Sequence, residues 1–299
     1  MTTAAAPAPA QAKTRDEAEP MSSRIVRFLT RTPVYLVLAF IGLLWLVPTL
    51  GLLFTSLLPA SAVGTTGWWE VLTSPSLATL DNYSEILDNE AITSAIWTTL
   101  WISLGATFLP IIVAALAAYA FAWLEFPGRD WLFLVVVALL VVPIQMALIP
   151  IFSLYNDLGL FATIPGLILF HTAFGLPFAI FLLRNFFIGI PRDLLEAARI
   201  DGASEFRIFF RVILPLGLPA IASLAIFQFL WVWNDLLVAL TFARDTQPIT
   251  VAIFSQMRQF SANIELIAPA AFISLAIPLV VFFAFQRYFV QGLLAGSVK

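Results

Sequence analysis

Six uncharged, apolar stretches constrain the fold of this chain more than any other feature. Each reaches or exceeds the roughly 20 residues with which an α-helix crosses the hydrocarbon core of a bilayer. The chain is 61% hydrophobic and 11% charged, whereas soluble domains carry about 25% charged residues. The sequence therefore predicts an all-α membrane protein. Its six transmembrane helices are expected within 32–69, 91–124, 131–156, 158–183, 212–234 and 266–286.

The basic residues predict how these helices are oriented. With the N-terminus in the cytoplasm, thirteen of the fifteen Lys and Arg residues fall on the cytoplasmic side, and only Arg244 and Arg258 fall outside. Cytoplasmic loops carry such an excess of positive charge. Both termini are therefore expected inside. Residues 1–20 are rich in Ala and Pro and are expected to form a disordered cytoplasmic tail, followed by a transmembrane domain over 21–299.

One charged, helix-forming segment interrupts the apolar pattern at 184–216, on the predicted cytoplasmic side. It contains the string DLLEAARIDGASEFRIFFRVILP at 193–215. Asp193 is expected to cap a short helix, with Glu196 completing a variant of the capping box. Gly202, which tolerates positive φ, is expected to turn the chain after Asp201.

The second half of this segment predicts another short helix. Ser204 is expected to cap it and Pro215 to close it. Four apolar residues recur at helical spacing and are expected to face the membrane body: Phe206, Phe209, Phe210 and Ile213. We call the segment 184–216 the elbow. From composition alone, it could equally be a folded loop whose charges only satisfy the cytoplasmic bias.

The elbow also carries a recognisable motif. The string EAARIDGA at 196–203, followed by Phe209 and by ILP at 213–215, resembles the coupling motif of permeases of ATP-binding-cassette importers. Within that superfamily, the chain resembles the second permease subunit of maltose-type carbohydrate-uptake systems over about residues 30–299. Further matching strings are LDNY at 80–83, FPGR at 126–129, LLRNFF at 182–187, WND at 233–235 and QRYFVQGL at 286–293.

The resemblance implies a type I importer permease fold and a docking role for the elbow. In that family, the elbow enters a cleft on a cytoplasmic ATPase, where Glu196 would pair with a basic residue; capping of the first helix remains the alternative role for Glu196. Gly202 would let the turn seat. The C-terminal tail, from Leu293 to Lys299, would also reach the ATPase. The small or turn-forming residues expected at the docking surface are Ala197, Ala198, Asp201, Gly202 and Ala203.

The chain lacks the residues needed to drive transport or catalysis by itself. A phosphate-binding loop requires a lysine in a Gly-Lys-Ser/Thr context, and the only lysines, Lys13 and Lys299, lack it. There is no cysteine, so no thiolate metal site is expected, and no cofactor either. The single histidine, His171, is expected to be a hydrogen-bonded packing residue.

Polar residues near the predicted spans are the candidates for contact with substrate. Asp235 lies near the outer end of the fifth span beside Asn234, and with Gln228 and Trp231 it offers hydroxyl-binding groups and an aromatic face suited to a sugar. The alternative is that Asn234 and Asp235 cap a helix or bond a neighbouring one. Weaker candidates are Gln145, Asn156 and Gln256.

The resemblance implies a subunit that works in a complex at the cytoplasmic membrane of a bacterium or archaeon. The expected partners are a homologous second permease, an ATPase dimer, an external solute-binding protein, a sugar such as an α-glucoside and the lipid bilayer; no nucleic acid is expected. Rival cargoes are a polyol, glycerol phosphate or another small solute. A gradient-driven transporter needs an ion relay, for which only Asp235 is available, and a membrane enzyme needs paired acids or a His–acid cluster.

Overall fold

The computed structural model describes the backbone of residues 21–257 and 264–295, and the side chains of 32–257 and 264–287. The predicted tail over 1–20 and the last residues of the C-terminal tail lie outside the described residues. Within those described, the regular structure is helical. The helices are α1 Met21–Ser56, α2 Ala60–Val63, α3 Glu70–Thr73, α4 Asp81–Asp88, α5 Glu90–Trp123, α6 Arg129–Leu139, α7 Ile144–Leu158, α8 Ile164–Ile188, α9 Arg192–Ile200, α10 Glu205–Ile208, α11 Leu214–Trp233, α12 Leu237–Phe242, α13 Ile249–Met257 and α14 Ile264–Ala295, with a 3₁₀ turn at Pro75–Leu77 and a π-helical turn at Phe209–Ile213.

The chain divides into two compact units, Met1–Gly51 and Leu52–Lys299. The described part of the first unit belongs to α1, which begins at Met21, before the apolar stretch that starts at residue 32. The helix continues through Pro33 and Pro48. Helices that cross a membrane tolerate such prolines because neighbouring groups and waters bond the carbonyls that they release.

Five helices in the described ranges are long and apolar enough to cross a membrane, and a sixth span exists if α6 and α7 are counted together. These two helices meet at an angle of 99°. The sequence predicted one span over 131–156, and the break lies inside it, between Leu139 and Ile144. Its cause is Pro143, which precedes α7, because a proline lacks the N–H of the helical ladder and disfavours helical geometry in the residue before it.

The core of the second unit forms where α5 packs along α8, and α11 packs against both of these helices and α14. Close approach depends on small residues. A Cβ at Gly217 in α11 would lie 2.6 Å from Cε1 of Phe187 in α8, so only glycine lets the two helices pack at this separation.

The elbow is built into this core. Leu195 of α9, Ile208 of α10 and Ile213 before α11 are fully buried. They belong to one hydrophobic cluster with residues of α5 and α8, among them Phe121 and Leu183. Burial of a side chain of this size stabilises the fold by about 1.5–3 kcal/mol. The elbow is therefore packed on the helices it connects and on α5.

Candidate functional site

The first helix of the elbow starts differently from the prediction. Its N-cap is Pro191, whose side chain has no polar atom to accept a capping hydrogen bond. Asp193 already lies in the first turn. The capping box predicted for Asp193 and Glu196 is therefore wrong. Glu196 instead accepts a hydrogen bond from Nε of Arg192, one turn earlier, at 2.8 Å. Pro191 explains the difference, because its preset φ of −58° directs the chain into the helix two residues early.

The turn after α9 agrees with the prediction. Gly202 has φ +76°, the left-handed conformation that glycine adopts without a steric penalty. The Gly202 N–H donates to the Arg199 carbonyl and the Ala203 N–H to the Ala198 carbonyl, both at 3.0 Å. This pair of bonds is a Schellman motif, which satisfies carbonyls at a helix end. The backbone thus requires glycine here through φ alone, since a Cβ would meet nothing within 4 Å.

The second half of the elbow runs directly into the membrane helix. Ser204 occupies the N-cap position but its side chain makes no capping bond. Pro215 does not close the helix, contrary to the prediction. The π-helical turn Phe209–Ile213 precedes it, with the Leu214 N–H bonded to the Phe209 carbonyl, and α11 continues to Trp233. This π-helical turn widens the backbone hydrogen-bond ladder just before Pro215. The wider turn leaves room for the proline ring and compensates for its missing N–H.

The four apolar residues of this half do not share one buried face. Phe209 and Ile213 are buried, whereas Phe206 and Phe210 are 72% and 55% exposed. Helical geometry explains the correction: a residue two positions from Ile208 lies on the opposite side of the helix, since each position turns by about 100°. The buried face is therefore formed by Ile208, Phe209 and Ile213.

The predicted docking residues divide between the outer surface of the elbow and its base. Glu196, Ala197, Asp201 and Gly202 are exposed, while Ala198 and Ala203 are half-buried and pack against the core cluster. Sequence reasoning missed the apolar side chains exposed around them. These exposed side chains are Leu194, Ile200, Phe206 and Phe210.

A second feature missed from the sequence is a polar cluster under the elbow. Arg199 donates from Nε to Oε1 of Glu205 at 2.9 Å and from Nη2 to Oε2 at 3.3 Å. The hydroxyl of Tyr119, near the C-terminal end of α5, donates to the same Oε2. The hydrogen bond to Glu205 raises the pKa of Arg199 above its usual range. The cluster joins α9, α10 and α5.

Two of the candidate substrate residues lie together. Gln228 and Trp231 line a cavity of about 280 Å³ between α8 and α11. The Gln228 amide donates to the carbonyls of Ala106 in α5, at 3.0 Å, and His171 in α8, at 3.4 Å. The other lining residues are mostly aromatic: Phe174, Gly175, Phe178, Leu224 and Phe227. Aromatic faces beside one fixed amide suit a ligand with apolar ring faces and hydroxyl groups.

Asn234 and Asp235 lie outside this cavity and bond to backbone. Nδ2 of Asn234 donates to the Leu230 carbonyl at 2.8 Å. The Asp235 carboxylate accepts from the N–H groups of Val238, at 3.2 Å, and Ala239, at 2.9 Å, and so caps α12. Burial raises the pKa of Asp235, and these N–H groups partly oppose the rise. The capping alternative therefore describes the observed contacts of both residues.

His171 is a packing residue, as expected, but not a hydrogen-bonded one. It is 2% exposed and its Nε2 lies 3.7 Å from Oδ2 of Asp235. No hydrogen-bond partner reaches its Nδ1 within the described structure. Its ring stands edge-on to Trp231, 5.1 Å away between centroids. Across 32–257 and 264–287, no group of three possible metal ligands occurs.

The weaker candidates are dispersed. Gln145 and Asn156 are exposed and Gln256 is half-buried, and none of them lines the cavity beside Gln228. Asn156 lies within α7, where its amide donates to the Phe152 carbonyl at 3.1 Å. The helix ends at Gly159, which has φ +67°.

Comparisons with known proteins identify the family. The osmoprotective compounds uptake permease protein GgtD of Synechocystis sp. is 47% identical over 284 residues, which cover 93% of this chain and 95% of that protein. The alpha-glucoside transport system permease protein AglG of Rhizobium meliloti is 52% identical over 235 residues, which cover 76% of this chain and 62% of that protein.

A solved structure shows the same fold. It belongs to a bacterial ABC transporter involved in the import of the acidic polysaccharide alginate, with a TM-score of 0.75 and 21% identity, covering 91% of this chain and 99% of that one. The model of one protein family matches residues 108–294, which include α8, the elbow and α11. The chain therefore belongs to the family of binding-protein-dependent transport system inner membrane components, and is a multi-pass subunit of the cytoplasmic membrane.

Proposed function

We propose that this chain is one permease subunit of an ATP-driven sugar importer and that its elbow docks on a separate ATPase. The observation that carries the proposal is the elbow itself. Its EAARIDGA string forms a helix, a glycine turn and a second helix, with Glu196, Ala197, Asp201 and Gly202 on the outer surface and a base buried in the core. This arrangement is a rigid projection with a small-residue tip, which a cleft on a partner can enclose.

The surface of the elbow indicates which kinds of ATPase residue it would contact. Glu196 is exposed, and within the described residues its ion pair is with Arg192 on the same helix, so it can exchange that pairing for a basic residue of the ATPase. The exposed apolar side chains of Ile200 and Phe206 lie near the tip and add apolar area to the contact. The orientation with both termini and the elbow in the cytoplasm, which rests on the distribution of Lys and Arg, brings this surface to the ATPase.

Half of the translocation pathway is assigned to the face of α8 and α11 that carries Gln228 and Trp231. Trp231 and Phe178 are half-exposed on this face, and a second, homologous permease would close the pathway from the other side. Asn234 and Asp235 belong to the same pathway as positioning residues, because they bond the backbone at the end of α11 and the start of α12. An external solute-binding protein delivers the solute.

The similarity to the alpha-glucoside permease supports an α-glucoside as cargo, and the aromatic cavity with its single amide suits a neutral sugar. The similarity to the osmoprotective compounds permease, which extends over nearly the full length of both chains, favours a second candidate, a small osmoprotective solute. Both candidates require the same subunit arrangement.

The first test is a mild-detergent pull-down of the full chain from its native membrane, with the co-purifying proteins identified. An ATPase, a second permease and a solute-binding protein are expected. The purified binding protein is then titrated with maltose, trehalose and sucrose and, separately, with small osmoprotective solutes, which decides between the two cargoes. Recovery of the chain alone, together with solute uptake into liposomes without ATP, would overturn the proposal.

A further inference from the structure

The polar cluster under the elbow connects it to a helix that is not its neighbour in the chain. The chain itself attaches the elbow to α8 and α11. The hydrogen bond from the Tyr119 hydroxyl to Glu205 adds a polar attachment to α5, beside the apolar packing of the core cluster. The two residues are 86 positions apart, so the contact exists only in the folded protein.

The surroundings of this contact favour a strong interaction. Tyr119 is buried, and its ring packs against Phe209 with 5.5 Å between ring centroids. Glu205 also holds the guanidinium of Arg199 through two hydrogen bonds. Hydrogen bonds to an ionised group are stronger than neutral ones. The exposed pair of Arg192 and Glu196 on the same elbow makes no such connection to α5.

The same α5 reaches the cavity. The Ala106 carbonyl of α5 accepts the hydrogen bond from Gln228, about 20 Å along the helix from Tyr119 at 1.5 Å per residue. A displacement of Tyr119 along the axis of α5 is therefore passed to the backbone that holds the cavity amide. Helices transmit such movements because their packed interiors resist compression.

We infer that Tyr119, Glu205 and Arg199 form a latch that transmits movement of the elbow to α5, and so links the ATPase cycle to the cavity beside Gln228. This role rests on the proposed function. Tyr119 and Arg199 act as positioning residues on the two sides of Glu205. Without the latch, the elbow still docks, but only its apolar packing joins it to α5, and α5 follows its movement less closely.

A distance measurement tests the latch without any partner. The sequence contains no cysteine, so two spin labels can be placed in the full chain at Ile200→Cys, on the exposed side of the elbow, and at Glu125→Cys, just after α5. Tyr119→Phe removes the hydroxyl and keeps the ring. The control Tyr155→Phe removes another buried hydroxyl, which bonds the Gly166 carbonyl at 2.9 Å.

In Tyr119→Phe, the distance distribution is expected to broaden, with a population of detached elbows roughly tenfold larger, as loss of a hydrogen bond to a charged group implies. Glu205→Gln removes the charge that accepts hydrogen bonds from both Tyr119 and Arg199. It is expected to broaden the distance distribution further. The Tyr155→Phe distribution is expected to match that of the unmodified double-cysteine chain. An unchanged distribution in both latch variants would overturn the latch.

The second readout is the number of solute molecules imported per ATP hydrolysed in the reconstituted complex. Tyr119→Phe is expected to lower this ratio by threefold or more, with the ATPase still bound, while Tyr155→Phe preserves it. A broadened distribution with an unchanged ratio would show a structural contact only and overturn the coupling role. If no ATPase assembles with the unmodified chain, the proposed function fails and the coupling role with it, while the distance distribution still decides whether the contact holds the elbow.

Discussion

The N–H of Ala203 donates a hydrogen bond to the carbonyl of Ala198 at 3.0 Å, and Gly202 between them has φ +76°. This bond closes the helix α9 and sets the angle at which the second half of the elbow leaves it. Both alanines are half-buried and pack against the core cluster. The direction of the elbow therefore depends on one backbone conformation, which only a few residue types can adopt.

We expect Gly202→Val to distort the turn and to reduce ATP-dependent uptake severely, because a β-branched residue in the left-handed region costs about 1–2 kcal/mol. Gly202→Asn is the matched variant, since Asn adopts this region readily, and it should retain most of the uptake. Recovery of the second permease in a pull-down shows whether the membrane subunits still assemble. Equal uptake by the two variants would argue against a role for the turn.

Substitution of Glu196 tests docking separately from stability. Exposed ion pairs contribute about 0–1 kcal/mol to stability, so Glu196→Gln should unfold at nearly the same temperature as the unmodified chain. Its affinity for the ATPase should fall at least about tenfold, as loss of one partner of an interface charge pair implies. Arg192→Gln breaks the same intrahelical pair and keeps the carboxylate, so it should bind the ATPase nearly normally. Weak binding by both variants would indicate that the intact pair, not Glu196, is required.

The cavity predicts unequal roles for two tryptophans. Trp231 lines it, whereas Trp101 is exposed on α5 and does not line it. Trp231→Leu should reduce the maximal rate of sugar uptake roughly threefold to tenfold, the loss expected for one aromatic contact. Trp101→Leu should leave that rate unchanged. Uptake is measured at saturating solute-binding protein, and the prediction fails if the two variants behave alike.

A methyl group added at Gly175 should displace Gln228. The new Cβ would lie 2.6 Å from Nε2 of Gln228 and 2.7 Å from its Oε1. The amide must then leave its carbonyl partners, which costs about 1–3 kcal/mol. Thermal unfolding in detergent should show this loss for Gly175→Ala and none for Gly64→Ala, where a Cβ meets nothing within 4 Å. Combining Gly175→Ala with Gln228→Ala should give less than the sum of the two losses, and strict additivity would show that the clash is absent.

Asp235 predicts a dependence of stability on pH. Burial raises its pKa above the ordinary value of 3.8. At pH values between the unfolded-state pKa and the folded-state pKa, the unfolded chain has lost the proton that the folded chain keeps. The stability due to protonated Asp235 is therefore lost as the pH rises through the folded-state pKa. Asp235→Asn does not titrate and keeps an acceptor for α12. Thermal unfolding of Asp235→Asn should therefore occur at a progressively higher temperature than that of the unmodified chain as the pH rises above the ordinary pKa of 3.8. A difference that stays constant with pH would contradict the prediction.

The sequence by itself determined the apolar spans, the glycine turn at Gly202 and the identity of the elbow. These features are local: a run of apolar residues is long enough to cross a bilayer or it is not, and glycine is the residue that enters a left-handed turn most readily. The resemblance of EAARIDGA to the importer motif is also contained in consecutive residues. Pro143 was visible as well, yet whether it kinks or breaks its span depends on packing, and here it produces a bend of 99°.

Tertiary structure alone decided the contacts between distant positions. The bond from Tyr119 to Glu205 and the bond from Gln228 to Ala106 join residues 86 and 122 positions apart, and no spacing rule relates them. The same holds for burial of Phe209 beside exposed Phe210, because α5 and α8 cover only one side of that helix. The sequence left Asp235 open to contact with substrate or with a helix end, and the fold decides this by bonding its carboxylate to the first N–H groups of α12. Local patterns specify which elements form, whereas the pairing of their faces depends on packing among elements far apart in the chain.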